Sequence, residues 1–90
     1  MRNFGEIEKE LRISRGLTMD DVSIGTGISK AAISRYESGD REPAFHLIKY
    51  FCLFYDVSSD YLLGLVDSPR GMYGTNNPVD ILIEEENSAG

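Results

Sequence analysis

Apolar residues recur at helical spacing in five short stretches of the chain. In the first, Phe4, Ile7 and Leu11 lie at i, i+3 and i+7, which places them on one face of a helix from Asn3 to Ser14. The same periodicity, with its start and stop signals, predicts four more helices: from Thr18 to about Gly25, Lys30 to Glu37, Ala44 to Tyr55, and Ser59 to about Leu63. We therefore expect an all-α fold, a compact domain of five helices.

Capping residues support the starts of the second and third helices. Thr18 is followed by Asp20 and Asp21, and the positive end of a helix dipole favours carboxylates in its first turn. Ser29 stands before Lys30 as a second N-cap, and Gly27 lies in the turn between the two helices. The sequence thus predicts two short helices joined by a tight glycine-containing turn.

The composition changes after Asp67. Residues 68–90 begin with a stretch rich in Pro, Gly and Asn, in which Val79, Ile81 and Ile83 then alternate with other residues before the acidic run 84–86. We predict a helical domain over 1–67 and, over 68–90, a linker with a flexible or weakly stranded acidic tail. This tail is a candidate segment for dimerisation or for binding a partner.

The charge is acidic overall but unevenly distributed. The net charge is −6, of which residues 1–67 carry −3 (eight Lys and Arg against eleven Asp and Glu) and residues 68–90 carry the other −3. Because charges are screened over about 8 Å in physiological salt, a locally basic face can still bind an anionic partner. The acidity thus opposes tight non-specific binding to nucleic acid without excluding a specific complex.

Several classes of protein are not expected. No apolar run reaches the roughly 18–20 residues needed to cross a bilayer, and the first residues lack a signal-peptide core, so we expect no membrane association and a cytoplasmic location. The single cysteine, Cys52, is expected to be a buried, inert thiol. His46 is the only histidine and is expected on the surface, and there is no metal-ligand spacing or phosphate-binding glycine loop. An enzyme, a cofactor, a metal and a small-molecule substrate are therefore not predicted.

The second and third predicted helices have the layout of a helix-turn-helix. Ser23 is small enough to let the third helix cross closely, and Gly27 occupies the turn where a side chain would clash. Ile28 and Ile33 are expected to bury one side of the third helix, which leaves its other side free to enter a groove of DNA. Tyr36 is expected in the core.

The match to one family extends well beyond this motif. Residues 4–65 closely resemble the Cro/repressor-type (XRE) helix-turn-helix family, in Gly16-Leu17-Thr18, Ile28-Ser29-Lys30, Ile33 to Gly39, Arg41-Glu42-Pro43, and Val57-Ser58 with Asp60 to Gly64. The resemblance implies a five-helix domain that binds a double-stranded DNA operator as a homodimer. It also implies a transcriptional regulator, most often a repressor.

Carried over residue by residue, the resemblance implies this set of DNA-binding residues: Thr18, Ser29, Lys30, Ala31, Ser34, Arg35, Gly39 and Arg41. Arg35 is the best candidate for a base contact because its guanidinium matches O6 and N7 of guanine. Lys30 could read guanine or hold a phosphate. The resemblance also implies a structural ion pair between Arg12 and Glu37.

The chain departs from many relatives at a few positions. Met19 stands where a glutamine often contacts the DNA backbone, Asp40 replaces a frequent basic residue, Glu8 replaces a frequent apolar one, and Gly25 weakens the end of the second helix. These changes predict modest affinity or reliance on dimerisation. The competing interpretation is a protein-interaction adaptor or antitoxin built on the same scaffold.

The fourth helix carries more apolar residues than one face needs. We expect a core stripe of Phe45, Ile48, Phe51, Cys52 and Tyr55, and a neighbouring stripe of Leu47, Tyr50 and Phe54. The second stripe either widens the buried arc or, with Leu62, Leu65 and Val66, forms a dimer interface or a docking site for residues 79–83.

Overall fold

A computed structural model describes residues 2–68 as five helices joined by short connections. They are α1 (Phe4–Ser14), α2 (Met19–Thr26), α3 (Lys30–Ser38), α4 (Phe45–Tyr55) and α5 (Ser59–Leu62). The predicted all-α, five-helix fold is confirmed, with no strand between residues 2 and 68 and with helix ends close to their predicted positions. The tail beyond Ser68, including its predicted strand, lies outside the described residues.

Side-chain caps start four of the five helices. Asn3, Thr18, Ser29 and Ser58 each accept a hydrogen bond from a backbone N–H of the first turn, at 2.9–3.1 Å. An N-cap of this kind satisfies a donor that the helix itself cannot pair, and it contributes about 1 kcal/mol. The local sequence therefore determines where these helices begin.

The core lies where α1, α3, α4 and α5 meet, with α2 against α3 and α4. Three aromatic rings, Phe4, Tyr36 and Phe51, pack edge to face with centroids 5.0–6.2 Å apart. The remaining buried apolar residues are Ile7, Leu11, Val22, Ile28, Ile33, Ile48, Cys52, Tyr55, Val57, Tyr61 and Leu62. The predicted burial of Ile28, Ile33, Tyr36 and Cys52 is confirmed, and burial raises the pKa of the Cys52 thiol.

Two glycines allow close approaches between helices. A Cβ on Gly5 would lie 1.9 Å from the backbone oxygen of Tyr36, so α1 crosses α3 at a distance that only glycine permits. A Cβ on Gly25 would lie 2.1 Å from the ring of Phe54. Gly25 thus makes room for α4 against α2, which corrects the interpretation that it merely weakens the end of the second helix.

Two expectations for the apolar surface of α4 and α5 are wrong. Phe45 is 87% exposed and not part of the core, because it begins α4 at a point that no helix of residues 2–68 covers. Leu62 is fully buried and so cannot belong to an external interface. Leu47 and Phe54 pack partly against the core, which favours the wider buried arc for these two residues.

Candidate nucleic-acid interface

Helix α3 has one buried face and one exposed face. Ile33 is fully buried and Tyr36 is 5% exposed, which anchors the inner face against α1 and the core. The side chains of Lys30, Ala31, Ser34 and Arg35 are all exposed, and we call these four residues the α3 face. Since side chains three and four apart share one side of a helix, the two cations and the two small residues form one continuous surface.

The turn before α3 sets the angle at which this face is presented. Gly27 has φ +77°, in the left-handed region, and its N–H donates to the Ser23 carbonyl at 2.9 Å. The Thr26 hydroxyl donates to the Val22 carbonyl at 2.7 Å and accepts from the N–H of Ile28 at 3.2 Å. The connection from α2 to α3 is therefore held by its own hydrogen bonds together with the buried side chain of Ile28.

Two predicted contact residues serve first as helix caps. Ser29 begins α3, and its hydroxyl oxygen accepts from the N–H of Ala32 at 3.1 Å while the residue stays exposed. Thr18 forms a capping box with Asp21: its hydroxyl accepts from the N–H of Asp21, and its own N–H donates to the Asp21 carboxylate at 2.8 Å. These hydrogen bonds, the one from the Thr18 backbone foremost, lower the pKa of Asp21. Thr18 therefore has only its hydroxyl proton to offer another group.

The backbone amides of the loop after α3 are hydrogen-bonded within the protein. The N–H groups of Gly39, Asp40 and Arg41 donate to the Tyr36 carbonyl, the Ser38 hydroxyl and the Arg35 carbonyl, at 3.2, 3.4 and 3.3 Å. The backbone amides near Gly39 are thus already occupied, and a contact of Gly39 with DNA stays a prediction. Gly39 ends α3 in a left-handed conformation, and the exposed side chain of Arg41 is the cation that this loop contributes.

Arg12 and Glu37 join α1 to the end of α3. Nε and Nη2 of Arg12 donate to the two carboxylate oxygens of Glu37 at 2.7 and 2.8 Å, and Nη1 donates to the Leu17 carbonyl at 3.1 Å. The Glu37 side chain is only 3% exposed, and the geometry is the bidentate one that suits guanidinium and carboxylate. The pair lies inside the fold and orients α3 without being part of the α3 face.

Near the α3 face the charges are mixed. The Nζ of Lys30 lies 3.5 Å from the Asp20 carboxylate, in a pair whose two side chains are more than half exposed. Such an exposed pair is worth at most about 1 kcal/mol, and Lys30 can easily exchange the Asp20 carboxylate for another anion.

Met19 packs partly against the core, so the residue in the place of the frequent glutamine is apolar and contributes to packing.

Sequence reasoning missed the buried carboxyl of Glu8. Its residue is fully buried in α1, and one of its oxygens accepts a 2.6 Å hydrogen bond from the Tyr55 hydroxyl. The signal was present in the sequence, because Glu8 follows Phe4 by four residues and precedes Arg12 by four, on the apolar side of the helix. The four-residue spacing places Glu8 on the inner face, whereas the family resemblance marks it only as a departure at a frequently apolar position.

Within residues 2–68 there is no group of three His, Cys, Asp or Glu side chains placed to hold a metal ion. None of the helices in this part of the chain has the length and apolarity needed to cross a bilayer.

Two curated proteins of Bacillus subtilis strain 168 are similar in sequence. The uncharacterized HTH-type transcriptional regulator YobD is 36% identical over 61 residues, which are 68% of this chain and 54% of that protein. A second one, YqaE, is 37% identical over 60 residues, which are 67% of this chain and 52% of that protein. The chain thus spans about half the length of the curated relatives it matches. Both are named as regulators, which agrees with the prediction that this chain is not an enzyme.

Solved structures share the fold. The P22 c2 repressor, solved in complex with a synthetic operator, matches with a TM-score of 0.68 at 24% identity, over 73% of this chain and all of that one. The restriction-modification controller protein C.AhdI from Aeromonas hydrophila matches with a TM-score of 0.63 at 23% identity, over 67% of this chain and 91% of that one. At these identities the likeness is one of fold.

The family model described as helix-turn-helix matches residues 9–62, more than half of the chain. Its matched span contains α2, the Gly27 turn and α3, together with both residues of the Arg12–Glu37 pair. The chain therefore belongs to the Cro/repressor-type (XRE) helix-turn-helix family.

Proposed function

We propose that the chain binds double-stranded DNA sequence-specifically, with α3 in the major groove. We propose also that it acts as a transcriptional regulator, and specifically as a repressor. One observation carries this proposal: Lys30, Ala31, Ser34 and Arg35 are exposed together on the side of α3 opposite its buried anchors. A short helix held by a turn, with polar side chains facing outward, is the geometry that enters a major groove. The named relatives, both HTH-type transcriptional regulators, support the regulatory role.

The proposed contacts follow from the chemistry of each side chain. Arg35 would read guanine through its two parallel donors, and Ser34 and Ala31 would lie against neighbouring base edges. Lys30, Ser29 and the side chain of Arg41 would hold phosphates, which position the domain without reading sequence. In this arrangement Lys30 exchanges the Asp20 carboxylate for a DNA phosphate.

Selection of bound duplexes from a random pool, followed by fluorescence anisotropy with the selected duplex, tests the proposal. The expected result is a preferred sequence whose affinity falls with salt, with a log–log slope of roughly −0.9 per phosphate contact. No duplex binding at any salt concentration would contradict it. That outcome would instead favour the adaptor or antitoxin interpretation, which the comparisons do not support.

We also infer that the chain acts as a homodimer, with α4, α5 and the residues after them as the interface. A groove of about 560 Å³ lies between α4 and α5, lined in part by Phe45, Ile48, Cys52 and Leu63. Leu65 and Val66, just beyond α5, are 61% and 40% exposed. An apolar surface of this kind on so small a domain is typical of a protein–protein contact. A cytoplasmic location belongs to the same proposal, because that is where a bacterial regulator meets its operator.

A further inference from the structure

The buried carboxyl of Glu8 lies between three helices and has too few hydrogen-bond donors for a carboxylate. Oε2 accepts from the Tyr55 hydroxyl of α4 at 2.6 Å, whereas the buried Oε1 has no donor among the described residues. Arg12, one helical turn after Glu8 in α1, holds the Glu37 carboxyl of α3, and this second carboxyl raises the pKa of Glu8. Both Glu37 oxygens already accept from Arg12.

A hydrogen bond between two carboxyl groups requires one of them to carry a proton. Glu37 is paired with a guanidinium, which stabilises its charge, and Glu8 is fully buried with no cation bonded to it. The proton therefore belongs on Glu8, which then donates to Glu37 through the oxygen that otherwise lacks a partner. In this form every oxygen of the cluster is satisfied. Without the proton, two neighbouring carboxylates would share one arginine inside the protein.

We propose that Glu8 is a positioning residue that carries a proton in the folded domain and, by donating it to Glu37, ties α1 to the C-terminal end of α3. Glu37 follows Arg35 by two residues, so this tie acts on the same short helix that presents the α3 face. Loss of the proton loosens the contact between α1 and α3. The consequence for DNA affinity rests on the proposed function; the consequence for stability does not.

Taken together, burial and the charged and titratable groups around Glu8 raise its pKa, as a protonated Glu8 requires. Burial raises the pKa of Glu8 to about 8, and Glu37 adds to the rise, while the Tyr55 hydroxyl and the Arg12 guanidinium oppose it. Burial also works to raise the pKa of Glu37, but its hydrogen bonds with Arg12 and Glu8 and the charges of Arg12 and Lys9 outweigh burial and lower it. Arg15, the remaining cation near the cluster, lies over the Tyr55 ring, 5.4 Å from its centroid.

The sign of the pH dependence follows. In the unfolded chain Glu8 titrates near the ordinary glutamate value of about 4.3, so between that pH and about 8 the folded state holds a proton that the unfolded state has lost. Raising the pH through this window therefore favours unfolding, by up to tenfold in the folding constant per pH unit. Below the window the contribution of Glu8 is fully present, and above about pH 8 it is lost.

The test compares the full chain with its Glu8→Gln variant by urea unfolding at pH values from 5 to 9. Glutamine accepts from Tyr55 and donates to Glu37 without titrating, so the ratio of the variant's folding constant to that of the wild type should rise up to tenfold per pH unit until about pH 8 and then level off. Glu10→Gln changes an exposed glutamate of the same helix and is the matched control, with a flat ratio expected. A flat ratio for Glu8→Gln would overturn the proposal.

A direct titration of wild-type Glu8, followed by the ¹³C chemical shift of its carboxyl, does not depend on any variant folding. A midpoint well above the usual glutamate range is expected, and Tyr55→Phe should raise it further because the hydroxyl stabilises the charged form. A midpoint near 4.3 would overturn the proposal.

Fluorescence anisotropy with the selected duplex at pH 6 and pH 9 then distinguishes the Glu8 proposal from the proposed DNA-binding function. If duplex affinity falls from pH 6 to pH 9 for the wild type but not for Glu8→Gln, both the Glu8 proposal and the DNA-binding proposal are supported. If the ratio of folding constants depends on pH but no duplex binds at any pH, the Glu8 proposal stands and the DNA-binding function is rejected.

Discussion

At the scale of single residues, the domain separates side chains that orient α3 from side chains that α3 presents. Glu37 and Arg35 lie two positions apart on the helix, yet one is inside the fold and bonded to Arg12 while the other is exposed. Charge alone does not distinguish these roles in the sequence. Position relative to the buried Ile33 and Tyr36 does, because successive residues turn by about 100° around a helix.

Arg35→Ala should weaken binding to the selected duplex by about 1–3 kcal/mol and relax the preference at one base pair, because a bidentate guanine contact is lost. Thermal unfolding should be little changed, since Arg35 is exposed and the tie between α1 and α3 is made by Arg12 and Glu37. Anisotropy with the selected duplex and its single-base variants measures both effects. Lys9→Ala removes an exposed cation of α1, outside both the α3 face and the proposed dimer interface, and is the matched control, with affinity expected to stay close to wild type. If Arg35→Ala retains full sequence preference, base reading belongs to Lys30 and Ser34 instead.

At the scale of helices, the position of α3 depends on how closely α1 can approach it. The Gly5 backbone packs against the Tyr36 carbonyl, and the Arg12–Glu37 pair closes the same interface further along α1. A four-residue spacing of Phe4, Glu8 and Arg12 brings an aromatic ring, a buried carboxyl and a guanidinium to one side of the helix. The α1–α3 interface therefore supports the α3 face together with the turn from α2.

Gly5→Ala should destabilise the domain by about 1–3 kcal/mol, the cost usual for overpacking, even though alanine favours helices over glycine by about 1 kcal/mol. The reason is that the clash at Gly5 is with backbone, which cannot rotate away. Gly25→Ala is the matched comparison, since its clash is with the partly exposed Phe54 ring, and it should cost less. Urea unfolding of the two variants measures the difference. Equal or reversed costs would show that α1 can move away from α3 without penalty.

At the scale of the whole molecule, the two exposed surfaces have different characters. The α3 face is polar and carries two cations, whereas the surface around α4 and α5 carries Phe45, Leu63, Leu65 and Val66. Two copies joined through the apolar surface would place two α3 helices on one symmetric particle, as an operator with two-fold symmetry requires.

Leu65→Asp should convert the proposed dimer into a monomer, because the interface would then bury an unpaired carboxylate. Light scattering of the full chain measures the mass. Ile13→Asp changes a similarly exposed apolar residue of α1 and should leave the mass unchanged. Removal of residues 68–90 completes the test: an unchanged dimer excludes the tail as its source, and a wild-type chain that is monomeric at every concentration contradicts the homodimer.

Much of this domain could be predicted from the sequence, because caps, turn glycines and the period of 3.6 residues are local signals. They located all five helices, the buried side of α3 and, through the family resemblance, the residues of the Arg12–Glu37 pair. The exposure of Phe45 and the burial of Leu62 could not be read in this way. Both depend on which neighbouring helix covers a position, and periodicity within one helix carries no information about that.

The sequence by itself determined the five helices, their order and which side of α3 is buried, since each follows from interactions between residues close in the chain. Only the tertiary structure decided that the amides around Gly39 are already used, that Gly5 and Gly25 are needed for close packing, and that Glu8 is buried against the Tyr55 hydroxyl. These features join residues distant in sequence, and the protonation of a buried carboxyl depends on the groups that the fold brings to it.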